Sequence, residues 1–538
     1  KLRDDDSRSV ANELGSLHFP VAFPEVFLRE RPGFDVIVGN PPWEKVKVET
    51  HEFWGRHFPG FRALPQREKE AAAKRYAESR PDLAAALAAE QETAKNMAVI
   101  MKSGSYELGS GDTELARVFS WRFWHLLRDG GRFGVVIPRQ ATLAAPGMKA
   151  WRDQIMTGGA FDDVALLVNN REWVFESVHP QYTVGLTTVH KGSDDGHVRL
   201  SGPFRSMPEY LEGQKREPET IEADEFRTWS DDLIFPMLND ESDVSIYRSL
   251  LAHLRIGDER TDWRFRPLRE LDATNDKHLY QFDVPNSTGL WPVYSGASFN
   301  LWTPETGEIY AWVDPKQVVS HLHEKRARQA RTRSSAFYGL PEAEVAQPRT
   351  LPAYKPRIAF RDVARATDQR TLIAALVPPH VVHQHTAPTL VRVQATETDE
   401  AYLLGFLSSR VLDWYARRQV ETHMTFSIFN TLPVPEVAHD HPGRCRVIEL
   451  AGRLCAIDDR YAEWAKAVGV DYGPVPEDQA EDMKPELDAC VARLYGLDEQ
   501  QIRDLYATFH PTWDHEPWTE AVLEHYRNIA WDPAEVTA

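Results

Sequence analysis

The chain has 538 residues, 42% apolar and 27% charged, with 81 acidic against 62 basic side chains and a formal net charge of −19. These values exclude a low-complexity chain and a protein coated in basic surface, and they leave room for two or three domains with sizeable cores. No stretch approaches the roughly 18 consecutive apolar residues of a membrane span. Cys445, Cys455 and Cys490 are too few and too scattered for a zinc module or a disulfide framework, so a cytoplasmic setting is expected.

Lys1-Leu2-Arg3-Asp4 has neither an initiator Met nor the apolar core of a signal peptide, and residues 1–33 read as a connecting segment from something longer. Phe34-Asp35-Val36-Ile37-Val38, followed by Gly39 and two prolines, predicts a central parallel strand that stops sharply at its carboxyl end. In open α/β sheets ligands bind at that end. The turn there is Asn40-Pro41-Pro42-Trp43. Two consecutive prolines lock φ and remove two backbone donors, leaving a rigid array of acceptors. The Asn40 amide oxygen and the Pro41 carbonyl are placed to accept the two hydrogens of an aromatic amino group, which draws its nitrogen toward sp3 geometry and frees the lone pair. Trp43 offers a flat face for a base, a contact of roughly 1–3 kcal/mol. A base inside a duplex reaches such a turn only when flipped out.

An Ala-rich, charged stretch from 66 to 102, interrupted at Pro81, predicts a helical pair beside the turn. Leu115, Val118, Phe119, Phe123, Leu126 and Leu127 share a helical face, with Asp112 or Thr113 as the expected cap. Asp129-Gly130-Gly131 is expected to end that helix ahead of a strand over 133–138. A short helix over 148–156 and strands over 164–168 and 182–189 complete an alternating β/α unit. Residues 201–435 are richer in Pro, Trp, Arg and short β-like runs and predict a separate mixed domain, with one helix over 401–418 packing through Leu404, Leu407, Val411 and Trp414. From 436 to 538 an acidic helical periodicity predicts a terminal helical domain.

The order of elements between Phe34 and Lys191 resembles the catalytic domain of adenine-N6 DNA methyltransferases of the TaqI-like class. The likeness extends to the large methylases of type IIG restriction-modification and phage-defence systems. It rests on the Phe19-Pro20 to Phe27 segment, the Asn40–Trp43 turn, the Gly130 to Pro138 strand, Tyr354-Lys355-Pro356-Arg357 and Leu432-Pro433-Val434-Pro435. The resemblance implies an α/β fold: the C-terminal half of a doubly wound methyltransferase sheet over 34–200, a mixed α/β target-recognition domain over 201–435 and a helical C-terminal region. It implies Asn40, Pro41 and Pro42 at the amino group, Trp43 on one face of a flipped adenine and His179 on the other, with Phe175 and Tyr182 as rivals for that second place. It also implies S-adenosylmethionine as cofactor, double-stranded DNA as substrate and other subunits of a defence system as partners, with no membrane. The family's glycine-rich cofactor loop precedes the Asn-Pro-Pro turn; no such loop is visible here, and Gly109-Ser110-Gly111 reads as an ordinary helix entry. Two alternatives stay open: a recognition or assembly component with no activity of its own, and a methyltransferase for a protein glutamine or an RNA amine.

Lys325, Arg326, Arg328, Arg331 and Arg333 form a basic run in an acidic chain and, with Arg357, are the expected DNA contacts. Arg255, Arg260, Arg264, Arg266 and Arg269, interleaved with Trp263 and Phe265, make a looser cluster. The pairs His321/His323 and His383/His385 lack a convincing third ligand, so no metal site is expected.

Overall fold

The computed structural model describes residues 19–102, 106–109, 113–176, 178–192, 196–284, 286–509 and 512–533. The chain forms two compact units, Lys1–Pro236 and Met237–Ala538.

In the first unit β1 (Phe34–Gly39) leads to the helical pair α1 (Gln66–Ser79) and α2 (Pro81–Lys102), which meet at Pro81 as expected. Proline suits the first turn of α2 because its missing N–H would have no intrahelical partner there. Helix α3 (Leu115–Leu126) buries Ala116, Val118, Trp121 and Trp124 and returns the chain to β2 (Leu127–Pro138), which runs parallel to β1. Glu114, not Thr113, stands at the N-cap of α3, and its side chain makes no capping bond to the backbone; Asp112 lies outside the described residues. The expected Gly130-Gly131 turn becomes an irregularity within β2. A Cβ on Gly131 would stand 2.8 Å from the Phe34 carbonyl oxygen, so only glycine permits this approach.

Helix α4 (Lys149–Gly158), β3 (Gly159–Val168), β4 (Thr183–Lys191), β5 (His197–Phe204) and β6 (Glu219–Glu222) follow. The sheet order is β1-β2-β4-β3-β5-β6. The β1–β2 and β3–β5 pairs are parallel and the remaining pairs antiparallel. The α/β class is as expected, with two corrections. β1 stands at the edge of the sheet, with Val36 63% and Val38 82% exposed, rather than at its buried centre. The boundary expected at 200 falls instead at Pro236, because β5 and β6 extend the same sheet.

The second unit holds an antiparallel sheet, β11-β10-β13-β7, with β7 (Arg264–Leu268) at its edge beside β13 (Thr389–Gln394), then β10 (Arg357–Phe360) and β11 (Ala374–Val377). A smaller sheet orders β12-β8-β9, with β8 (Trp291–Tyr294), β9 (Ala311–Val313) and β12 (Val382–His383). Helix α5 (Pro315–Gln329) carries the start of the basic run. The single helix expected over 401–418 is two, α6 (Glu397–Ser408) and α7 (Arg410–Gln419). Ser409 separates them: its hydroxyl accepts the Leu412 N–H and caps α7, while Asp488 accepts the Arg410 N–H. Leu404, Leu407, Val411 and Trp414 are buried as expected.

The residues after 436 do not stand apart as a domain. Asp399 pairs with Arg444, Glu400 accepts the Trp464 indole N–H at 3.0 Å, and the Tyr495 hydroxyl donates to the Pro433 carbonyl at 2.6 Å. Among the described residues no helix is long and apolar enough to cross a membrane.

Two buried imidazoles make this unit sensitive to acid. Burial lowers His253 to about 4, and burial together with the Arg357 charge holds His383 well below its usual value. The unfolded chain therefore takes up protons near pH 6.5 that the folded unit refuses, and stability falls as pH drops from 6.5 towards 4. Each site contributes a slope of up to about 1.4 kcal/mol per pH unit. Urea unfolding at pH 7.5, 6 and 5 should show a steeper loss for the parent chain than for His253→Leu; equal slopes would remove His253 from this account.

Candidate functional site

The β1–β2 register sets Gly39 opposite Val135, so the next residues, Asn40 and Val136, lie at the carboxyl ends of two parallel strands. Beyond Asn40 the Trp43 indole N–H donates to the Val136 carbonyl at 3.3 Å. Glu44 and Val46 fasten the exit of the turn: the Leu115 N–H reaches the Glu44 carbonyl at 2.9 Å and the Val46 N–H reaches the Thr113 carbonyl at 2.8 Å. Pro41 is buried, Trp43 half-buried and Asn40 exposed. Among the described residues nothing bonds to the Asn40 side chain or to the Pro41 carbonyl. The turn is thus held at its base and, among the described residues, leaves two acceptors without partners.

The loop from Asn169 to Tyr182 joins β3 to β4 at this same end of the sheet, since Val168 pairs with Thr183 and Pro138 with Val184. Asn169 is fully buried and organises it. Its amide donates to the carbonyls of Phe175 (2.9 Å) and Val178 (2.8 Å), and its oxygen accepts the N–H groups of Val174 (3.1 Å) and Phe175 (2.9 Å). Arg171 and Glu172 both take positive φ, 56° and 61°, a backbone strain of about 1–3 kcal/mol each for residues other than glycine.

This loop brings Phe175, not His179, to the motif. The Phe175 ring meets Trp43 edge-on, with centroids 5.5 Å apart and an interplanar angle of 85°. His179 is exposed; its Nδ1 accepts the Gln181 N–H and its ring packs on Tyr182 at 5.6 Å. Sandwiching a base between two rings requires about 7 Å between them, two contacts of ~3.5 Å. The Phe175 and Trp43 rings are in direct contact, so no gap of that width separates them. Asn169 went unnoticed in the sequence because a lone asparagine after a strand carries no spacing signal.

Beside the motif, three buried arginines staple the π-helical turn Arg139–Leu143 that ends β2. Arg117 donates to the Ala141 carbonyl at 2.9 Å, Arg139 to Phe235 at 2.7 and 3.0 Å, and Arg152 to the carbonyls of Thr142, Ala145 and Asp232. Burial, with the neighbouring charges of Arg117 and Arg139, brings the Arg152 guanidinium down to about 9.

The residues expected to meet DNA divide. Arg326 is buried and donates to Thr350 and to the carbonyls of Val345 and Gln347. Lys325 donates to the carbonyls of Arg269 and Glu270. Arg357 is buried against Glu270 at 2.9 Å. These three serve the fold, because each long cationic side chain finds its acceptors inside the unit. Arg328, Arg331 and Arg333 are exposed. In the looser cluster Arg260 is paired with Asp258, and Trp263 and Phe265 are buried.

Ser110 and Gly111 of the Gly109-Ser110-Gly111 sequence lie outside the described residues. A Cβ on Gly109 would stand 2.7 Å from the Gly147 Cα, so close packing accounts for that glycine.

No protein-family model matches the chain. No curated protein matches it. Among solved structures it is similar to the Type IIL restriction-modification enzyme MmeI in complex with DNA, at 13% identity over 92% of this chain and 57% of that one, with a TM-score of 0.44. It is also similar to the type IIG restriction endonuclease BpuSI, at 13% identity over 92% of this chain and 53% of that one, with a TM-score of 0.29. The ATP-dependent Type ISP restriction-modification enzyme LlaBIII bound to DNA is similar at 10% identity over 78% of this chain and 29% of that one, with a TM-score of 0.33. The chain spans about half the length of the first two.

Two structural assignments are open to test. Asn169→Ala removes four hydrogen bonds and leaves buried amide groups unpaired, a local loss of about 1–3 kcal/mol; hydrogen–deuterium exchange at the Val174 and Phe175 amides should accelerate, and unchanged protection would refute the role. Arg357→Ala leaves Glu270 buried without its cation, which costs about 3–5 kcal/mol. Its melting temperature should drop well below that of Arg328→Ala, a surface change.

Proposed function

We propose that this chain carries the amine-binding side of a site-specific DNA adenine-N6 methyltransferase, in a restriction-modification or antiviral role. The observation that carries this reading is the Asn40–Trp43 turn at the carboxyl end of β1, fixed through Val136 and presenting two vacant acceptors beside a half-buried indole. The Asn40 oxygen and the Pro41 carbonyl accept the two N6 hydrogens and concentrate the lone pair on the nitrogen. Trp43 takes the adenine ring on its face once Phe175 has drawn back. This chain's contribution to the rate is positioning of the amine and stabilisation of the charge that develops on it.

S-adenosylmethionine supplies an electrophilic methyl group in chemistry of this kind. The described residues do not make a cradle for it: β1 pairs with β2 alone, no strand with a glycine-rich loop flanks its other side, and Gly109 is occupied in packing against Gly147. That edge, with Val36 and Val38 exposed, favours a second reading in which the chain recognises DNA or assembles a defence complex and has no transfer activity alone.

Transfer of a tritiated methyl from S-adenosylmethionine to mixed-sequence duplex DNA separates the two. In the first reading Asn40→Ala lowers the single-turnover rate by at least about 100-fold, and Trp43→Ala weakens capture of the flipped base by roughly 1–3 kcal/mol. An Asn40→Ala protein at the parent rate would sink the assignment. A parent chain that neither binds S-adenosylmethionine in calorimetry nor transfers methyl decides for the second reading.

A further inference from the structure

The second unit contains a groove of about 730 Å³ formed by β7, the 333–341 loop, the helix α8 (Phe426–Asn430) and the segment around Gly257. Its charge is the reverse of the chain's. Arg264, Arg266 and Arg333 line it against one carboxylate residue, Glu259, in a protein of net charge −19. Pairing of β7 with β13 sets Arg264 opposite Gln394 and Arg266 opposite Val391, and the alternation of a strand puts Arg264 and Arg266 on one face while Phe265 is buried on the other.

The three guanidiniums are differently engaged. Arg266 donates to the carbonyls of Ser335 and Tyr338 and so holds the 333–341 loop against the strand. Arg264 reaches the Glu259 carbonyl at 3.2 Å, while its Nε is buried with no partner. Arg333 is exposed and, among the described residues, makes no hydrogen bond or ion pair. Two amides, Gln394 and Asn430, also line the groove, and their side chains have no partner among the described residues. Asn430 is fixed through its main chain, whose carbonyl accepts the Gly257 N–H at 2.9 Å. At the rim Arg269 lies over the Phe426 ring at 4.9 Å and is paired with Asp362 at 3.1 Å.

Resting on the DNA reading above, we propose that this groove is the sequence-reading contact with the duplex: Arg264 and Arg333 hold phosphates, and Gln394 and Asn430 read base edges. Arg333 has no internal acceptor among the described residues, and Arg264 spends only one donor on the Glu259 carbonyl, which leaves both guanidiniums with donors for a phosphate oxygen; a primary amide donates and accepts at once, as the N6/N7 edge of adenine requires. Because Arg266 is already satisfied by two carbonyls, it positions the loop that carries Arg333 rather than meeting the duplex.

The test uses the full chain and fluorescent 30-base-pair duplexes with a randomised centre, selected for binding and then measured by competition from about 50 to 200 mM salt. It needs no methyl donor, so it stands or falls separately from Asn40 and transfer. Arg333→Ala should weaken every duplex about equally and reduce the slope of log K against log salt by roughly 0.9, the loss of one phosphate contact. Gln394→Ala and Asn430→Ala should relax the preference at one or two positions by roughly 5- to 150-fold while leaving the salt slope intact. Both sites are at or near the surface, and an unchanged melting temperature confirms folding. Parent-like preference at every position in both amide variants overturns the assignment. So does equal or tighter binding of the matching RNA duplex or single strands, and so does a parent chain that binds no nucleic acid.

Discussion

The site depends on the parallel pairing of β1 with β2. That register delivers Asn40 and Val136 to the same level, where the Val136 carbonyl accepts the Trp43 indole N–H. The two prolines between them cannot donate, so the turn has no alternative internal bonding into which to relax. The vacancy of the Pro41 carbonyl is therefore a consequence of the backbone, while that of the Asn40 oxygen belongs to an exposed side chain. Glu44 and Val46 close the other side by bonding to the entry of α3, which leaves the turn held at both ends.

The end of β2 is made rigid by a different device. A π-helical turn leaves carbonyls that the helix itself does not satisfy, and Arg117, Arg139 and Arg152 supply donors to that turn and its surroundings. Burying three guanidiniums is costly unless their donors are used, which makes the arrangement intolerant of other conformations. Across the same end of the sheet Asn169 does for a long loop what the arginines do for the turn. Under the proposed reading, the loop between β3 and β4, with strained Arg171 and Glu172, carries the ring that touches Trp43, and displacement of Phe175 would make room for a base.

What the sequence disclosed was mostly local. The α1–α2 break at Pro81, the apolar face of α3 and the strands after it follow from periodicity and from proline chemistry, and the Asn40–Trp43 turn from its own residue types. What it concealed was tertiary. Val36 and Val38 are β-branched and apolar in either an edge or a central strand, so their exposure is decided by neighbours, not by composition. Arg326 and Arg357 read as surface cations because a charge run gives no sign of Glu270 or of the Val345 and Gln347 carbonyls waiting beneath. Ser409 broke an apparently continuous helix because Asp488, 78 positions beyond Arg410, accepts the Arg410 N–H; that pairing carries no local signature. Phe175 outranked His179 only through the folding of the loop around Asn169.

Among the described residues the exposed edge of β1 has no strand with a glycine-rich loop beside it, and physical reasoning connects the two observations. A strand built from apolar β-branched residues is costly at an open edge, and proteins usually blunt such edges with charge, proline or a covering element. Here Asp35, held to about 2 by Arg128 and Arg29, guards only the start of the strand, and among the described residues Val36 and Val38 remain exposed. In open α/β sheets ligands gather at the carboxyl ends of the strands, where a strand added on the free side of β1 would set its following loop next to Asn40. Under the proposed reading, holding the amine and holding the methyl donor are then separable tasks divided along one strand. The acceptors of Asn40 and Pro41 need only the β2 side of that division to keep their geometry.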